Sequence, residues 1–226
     1  MTIFYRLCGI ASTNPSPIYQ EDKFLLNQLC LKSFREAFRE VNPEVIILAD
    51  YCGPEYDKMI KDIIPFTHEI HHSEVGINET CLRQYDLAEN MNDDFLFAEC
   101  DRMWLPYSGK KLENAIKHFG LVSGYDHPDF YSRFDIHPKQ CEVELFEDHH
   151  YRTAARNVMT FGMTKDTFEK NKNILIKYGY LDDLVWKEMR ENGTQLWTAL
   201  PALETHMVAN YMAPSIDWKS IWESYL

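Results

Sequence analysis

The residues best placed to do chemistry are acids that follow short apolar runs. Phe95-Leu96-Phe97-Ala98 is apolar on both faces, the composition of a strand in a sheet covered on both sides, and it leads directly into Glu99-Cys100-Asp101. Glu99 and Asp101 are two apart, so in extended backbone their carboxylates fall on the same side. Two carboxylates there repel each other unless something positive sits between them. A divalent metal is the economical answer, because a hard cation takes carboxylate oxygens and then phosphate oxygens with its remaining positions. The plain alternative is an acidic, solvated loop after a strand. Three more segments carry comparable chemistry. Phe161-Gly162-Met163 reads as a strand whose glycine would let a ligand approach the backbone. Leu181-Asp182-Asp183 stands at a helix start, and Glu204-Thr205-His206 ends in an imidazole. A second apolar run, Val45-Ile46-Ile47-Leu48-Ala49, also ends in an acid, Asp50.

Elements that could hold these residues alternate along residues 1–124. Strands are expected at 3–10, 45–50, 66–71, 95–98 and 121–124, and helices at 20–41, 54–63, 78–90 and about 112–119. That order implies a mostly parallel sheet with helices on both faces. The loop Ala11 to Pro17 would then lie at the carboxyl edge of the first strand, where ligands bind in such sheets. Residues 125–150 read as a long loop with Asp126, His127, Asp129, Asp148, His149 and His150, of the kind that serves function. A strand over 157–163, a helix over 165–178 capped by Thr164, a helix over 181–191 and a short strand over 194–200 follow. The tail, with Trp218, Ile221, Trp222 and Tyr225, has the composition to pack back on the body.

At 226 residues the chain fits one domain, and its apolar content of 45% suits a folded globular protein. The formal net charge of −12 argues against a dedicated nucleic-acid surface. No apolar run reaches the roughly 20 residues needed to span a bilayer. Residues 1–10 carry one basic residue and a short apolar stretch broken by Arg6 and Gly9, which does not read as a signal peptide. Six widely spaced cysteines suit free thiols in a reducing compartment, so a cytoplasmic protein is expected. His68, His71 and His72 fall in an expected strand and read as solvated surface rather than zinc ligands. Trp186, Trp197, Trp218 and Trp222 could stack on sugar rings, with packing as the default role.

The order of Glu99-Cys100-Asp101, Phe161-Gly162-Met163, Leu181-Asp182-Asp183 and Glu204-Thr205-His206 resembles the motif series of GT-A-type glycosyltransferases. The resemblance spans most of the chain, from Ile3 to about His206, and departs from the Asp-x-Asp pattern in having Glu99 as its first acid. It implies a single α/β domain of GT-A (Rossmann-like) type. Residues 1–124 would form the nucleotide-sugar-binding half, and residues 125–226 a C-terminal acceptor-side elaboration. It implies Asp101 as the main metal ligand, with His206 as a second and Glu99 acting through water or on donor hydroxyls. Mn²⁺ or Mg²⁺ would bridge the phosphates of a UDP- or GDP-sugar. Asp183 would be the base of an inverting transfer to a hydroxyl, and its alternative is helix-start chemistry with a Lys187 pair. Asp50 would contact the nucleobase or ribose. Arg83 would reach the base or phosphates, or else be an ordinary exposed arginine. The acceptor would be a glycan, a lipid-linked group or a protein, ahead of a modified DNA base of the phage or viral kind. Rival readings are a nucleotidyltransferase, against which the absence of Gly, Lys and Arg in 11–17 counts, and a non-catalytic nucleotide-sugar-binding protein.

Overall fold

Strands this apolar need cover on both faces, and the chain supplies it with helices. The computed structural model describes residues 1–137 and 141–226. In chain order the first elements are β1 (Thr2–Cys8), α1 (Lys23–Phe38), β2 (Glu44–Asp50), α2 (Pro54–Ile63), β3 (His68–Ser73) and α3 (Ile77–Glu89). Then come β4 (Phe95–Glu99), β5 (Arg102–Trp104), α4 (Ser108–Phe119), β6 (Leu121–Ser123), β7 (Val143–Phe146) and β8 (His149–Ala154). The chain ends with β9 (Phe161–Met163), α5 (Lys165–Tyr178), α6 (Asp182–Glu191), β10 (Leu196–Leu200), β11 (Glu204–His206) and α7 (Trp218–Glu223). Nine strands form one sheet in the order β3-β2-β1-β4-β9-β6-β10-β8-β7, and β11 pairs with β5 apart from it. The pairings β1–β2, β2–β3, β1–β4 and β6–β10 are parallel, while β9 runs against both β4 and β6. This is a single α/β domain with a mostly parallel central sheet between helices.

Side-chain alternation along β1 divides the core. Ile3, Tyr5 and Leu7 pack with Phe34, Tyr56, Leu112 and Ile116 of α1, α2 and α4. Phe4 points the other way, into a cluster with Tyr85, Phe97, Phe168 and Trp186 beneath α3, α5 and α6. The helices start where side chains cap them: an Asp22 oxygen accepts the Leu25 N–H at 2.9 Å, and Thr164 Oγ1 accepts the Thr167 N–H at 3.3 Å. The sheet order reverses at β1, with β2 on one side and β4 on the other, so the crevice beyond their carboxyl ends is the topological switch point where open α/β sheets bind ligands.

The second half is more ordered than its composition suggests. Within the stretch expected to be loop, Pro128–Tyr131 forms a turn of 3-10 helix, and β7 and β8 form a hairpin. Its two-residue turn is Glu147-Asp148, with Glu147 at φ 53°, so the hairpin lacks the Asn-Gly or Asp-Gly signal that usually marks one. β7 is also an edge strand with exposed residues, which removes the alternation that would have shown it. The expected strand over 157–163 shortens to Phe161–Met163, because the Asn157 amide donates to the Tyr125 carbonyl at 2.8 Å and holds that stretch as loop. Trp218 buries beside Leu26, Cys30, Met103 and Tyr125, fixing the tail to the body, and its indole N–H donates to the Ala213 carbonyl at 2.9 Å. Among the described residues no helix is long and apolar enough to cross a membrane.

Gly162 occupies the middle of β9, and what approaches its backbone is α4 rather than a cavity. A Cβ there would lie 2.1 Å from Cδ1 of Ile116 and 3.2 Å from the Phe95 carbonyl oxygen. Overpacking of this kind costs about 1–3 kcal/mol, so Gly162→Ala is expected to lower stability in urea by that amount. Ile116→Val in the same chain should restore part of it. A Gly162→Ala protein as stable as wild type would contradict this packing account.

Candidate active site

A cavity of about 330 Å³ opens at the carboxyl ends of β1, β2 and β4. Its walls include Arg6 and Cys8 from β1, Asp50 and Tyr51 at the end of β2, and Glu99 with Asp101 at the end of β4. Lys23 of α1 and Ile77 and Thr80 of α3 complete it. Ile10, Tyr51 and Ile77 are exposed apolar groups at its rim, a surface suited to a planar ring. Sequence reasoning misses Tyr51, which sits at φ 53°; its one signal is its place immediately after the strand-end acid.

Glu99 sits in the cavity wall between two arginines. Register pairs it with Arg6 across β1 and β4. Arg6 Nη2 donates to Oε1 at 2.9 Å, and Arg102 Nη2 donates to Oε2 at 2.5 Å. Both guanidinium groups are buried, at 7% and 1% side-chain exposure, so the ionic cluster is desolvated as well as paired. Burial alone would raise the Glu99 carboxyl, but Arg102 and Arg6 outweigh it and hold it below the usual range. The repulsion implied by two adjacent acids is thus relieved by the chain's own cations on the Glu99 side.

Asp101 has a different environment. Its Oδ2 is 3.1 Å from His206 Nε2, brought there by the β5–β11 pairing that sets His206 opposite Arg102. Its Oδ1 is buried, lies 3.7 Å from Arg102 Nε and has no hydrogen-bond partner among the described residues. Burial opposes ionisation, but His206 first and then Arg102 and Lys23 hold this carboxyl well below the ordinary value. Asp101 and His206 therefore place a carboxylate in contact with an imidazole, two donors of the kind Mn²⁺ accepts. Among the described residues no three His, Cys, Asp or Glu side chains converge to hold an ion unaided, so the remaining positions would fall to a ligand's oxygens and water.

The other predicted residues fall in several places. Asp50 borders the cavity, but its carboxylate accepts from Ser73 Oγ at 2.9 Å and from the N–H groups of Val75 and Gly76 at 2.9 and 3.0 Å. It fixes the turn into α3, where Gly76 takes φ +88°. Arg83 lies outside the cavity lining, with Nη2 3.3 Å from His71 Nδ1 on an exposed surface. Asp182 and Asp183 open α6 beside a second cavity of about 110 Å³ with His127, Asp129 and Arg156. Asp183 Oδ1 pairs with Arg156 at 2.6 Å rather than with Lys187, and its Oδ2 has no partner among the described residues. Arg156 in turn bonds Asp129 at 3.0 Å. Burial pushes Asp182 up, and Asp183 and Glu99 add to the shift. His149 Nε2 lies 2.7 Å from the Pro201 carbonyl oxygen, and His72 pairs with Asp57 at 3.0 Å. Trp186, Trp197 and Trp218 pack against protein rather than facing either cavity.

Sequence reasoning also misses Arg6 and Arg102, and it names Glu204 only as part of the Glu204-Thr205-His206 motif, without a role. Glu204 is fully buried on β11, neither oxygen has a hydrogen bond among the described residues, and burial pushes it up to about 8. It is held as the neutral acid at neutral pH. A folded-state value above the ordinary one means that its contribution to stability is full below about pH 4.5 and is lost as pH rises from there through about 8. Glu204→Gln should therefore flatten the fall in melting temperature between about pH 5 and about pH 8. An unchanged slope would remove Glu204 as its source. For the ionic cluster, Glu99→Gln leaves buried Arg6 without its counter-charge and Arg102 with only the longer Asp101 contact, and is expected to cost about 3–5 kcal/mol in denaturant unfolding.

No family model matches the chain, and no curated protein does. Solved structures share its fold at low identity. A Methanothermobacter nucleotidyl transferase superposes with TM-score 0.53 at 13% identity, covering 99% of this chain and 96% of that one. The 4-diphosphocytidyl-2C-methyl-D-erythritol synthase of Anaerococcus prevotii gives TM-score 0.51 at 11% identity, covering 99% and 95%. A protein of Desulfovibrio desulfuricans, provisionally described as a nucleotide-diphospho-sugar transferase, gives 0.51 at 12% identity over 87% and 78%. The chain has the nucleotide-diphospho-sugar transferase fold.

Proposed function

We propose that this chain is a metal-dependent glycosyltransferase that moves a sugar from a nucleoside-diphosphate sugar to a hydroxyl acceptor. The observation that carries the reading is the cavity at the switch point of the sheet, with Asp101 in its wall and Oδ2 of that carboxylate 3.1 Å from His206 Nε2. The exposed ring of Tyr51 and the side chains of Ile10 and Ile77 would receive the nucleobase, with Asp50 holding the α3 turn that carries Ile77. Asp101 and His206 would hold Mn²⁺ or Mg²⁺, and Glu99 would act by keeping Arg6 and Arg102 in place. Such an ion, when bound, neutralises charge on the departing diphosphate.

Asp183 would take the proton of the acceptor hydroxyl as its oxygen bonds to the anomeric carbon and the bond to the β-phosphate breaks. Arg156 fixes Oδ1 and leaves Oδ2 to accept. A single displacement of this kind inverts the anomeric centre. The cavity beside Asp183 would seat part of the acceptor, and a net charge of −12 favours a glycan, lipid-linked or protein acceptor over DNA.

The test is release of nucleoside diphosphate from UDP- and GDP-sugars. Asp183→Asn is expected to slow turnover by about 10²–10⁴-fold while leaving donor affinity nearly unchanged. Asp101→Ala is expected to abolish metal-dependent donor binding. Wild-type turnover by Asp183→Asn would remove Asp183 as the base. Nucleotidyl transfer is the second reading, favoured by the ammonium of Lys23 in the cavity, which supplies charge that residues 11–17 lack. It requires pyrophosphate release from a nucleoside triphosphate mixed with a sugar phosphate.

A further inference from the structure

Lys23, the first residue of α1, stands where two cavities meet. The larger is the candidate donor cavity; the smaller, of about 20 Å³, runs beneath residues 11–20, and Lys23 and Asp101 line both. Lys23 is half-buried yet makes no hydrogen bond or ion pair among the described residues. The nearest acid in sequence, Asp22, is turned away to cap the helix through the Leu25 N–H. Arg6, the other cation lining the larger cavity, is committed to Glu99, and so is Arg102 behind it. Lys23 is thus a partly desolvated ammonium with its three donors unspent.

Burial by itself lowers such an ammonium, but neighbouring groups, Cys100 and Asp101 foremost, reverse the effect and leave Lys23 above its ordinary value. Lys23 therefore stays cationic, lining the same two cavities as Asp101 without a bond to it. A cavity lined by one such cation and by the Asp101 carboxylate fits a ligand bearing several anionic oxygens, some taken directly by the ammonium and some through an ion on the acid.

We propose that Lys23 is a direct ligand of the donor's diphosphate, and that the chain distinguishes nucleoside diphosphates from monophosphates largely through it. This rests on the donor site proposed above. The side chain would reach the diphosphate from α1, a role that the loop over residues 11–17 cannot fill for want of any basic residue.

Calorimetric titration of wild type, Lys23→Met and Lys23→Arg with UDP, GDP, UMP and GMP tests it, in EDTA and then in Mn²⁺. Wild type is expected to prefer a diphosphate over its monophosphate. Lys23→Met should weaken the diphosphate by about tenfold or more, as loss of a charge-assisted hydrogen bond does, and should narrow that preference in both conditions. Lys23→Arg should retain most of the preference, and the melting temperature of Lys23→Met should stay close to that of wild type. Equal diphosphate affinity in wild type and Lys23→Met would overturn the role of Lys23 and leave the donor site standing. A parallel loss for mono- and diphosphate with a lowered melting temperature would make Lys23 structural and overturn it too. No binding of any nucleotide by wild type would overturn the donor site, and this role with it.

Discussion

The placement of Glu99 between Arg6 and Arg102 is the constraint on which the candidate site depends. Three charges are gathered at the carboxyl end of β4, and they come from β1, β4 and β5. Desolvating them is costly, and only close pairing recovers the cost. Apolar residues of similar size would hold these strands at least as well, so stability alone does not explain the arrangement. Its consequence is positional. Arg102 anchors β5, β5 pairs with β11, and β11 delivers His206 to Asp101 at 3.1 Å. The carboxylate at position 99 therefore sets the geometry of the one at position 101.

Electrostatically the two strand-end acids divide the work. Glu99 has its oxygens filled by guanidinium groups, whereas Asp101 keeps one oxygen unbonded and stays ionised beside an imidazole and an ammonium. Glu204, buried nearby and held as the neutral acid, adds no charge at neutral pH. The cavity thus combines the Asp101 carboxylate with the unpaired ammonium of Lys23, a pairing suited to polyanionic ligands and their counter-ions.

Much of the fold is legible in the residues because β2 and β4 hold continuous apolar runs, β1 holds one broken only by Arg6, and the helices between them have clear periodicity. The β7–β8 hairpin is not, since an exposed edge strand and a Glu-Asp turn carry neither alternation nor glycine. In the site, acids ending strands are visible because charge interrupts an apolar run. The arginines that face Glu99 are not, because a pairing between Arg6 and residue 99 is a matter of strand order, which local pattern does not encode. Gly162 stands out in the sequence for its lack of a side chain, but the neighbour that uses this space is Ile116 of α4. The fold is shared with solved structures at 11–13% identity, consistent with a pattern of burial that many sequences satisfy.

The most direct test of the donor site is thermal unfolding of the wild-type chain with UDP, GDP, CDP and ADP, each with and without Mn²⁺. A ligand that binds only the folded state at about 100 times its Kd adds about 2.7 kcal/mol. For a chain of this length that corresponds to a rise of roughly 5–10 °C in Tm. The account predicts such a rise for one nucleoside diphosphate, larger with Mn²⁺ than without. An unchanged Tm for all four in both conditions would contradict it.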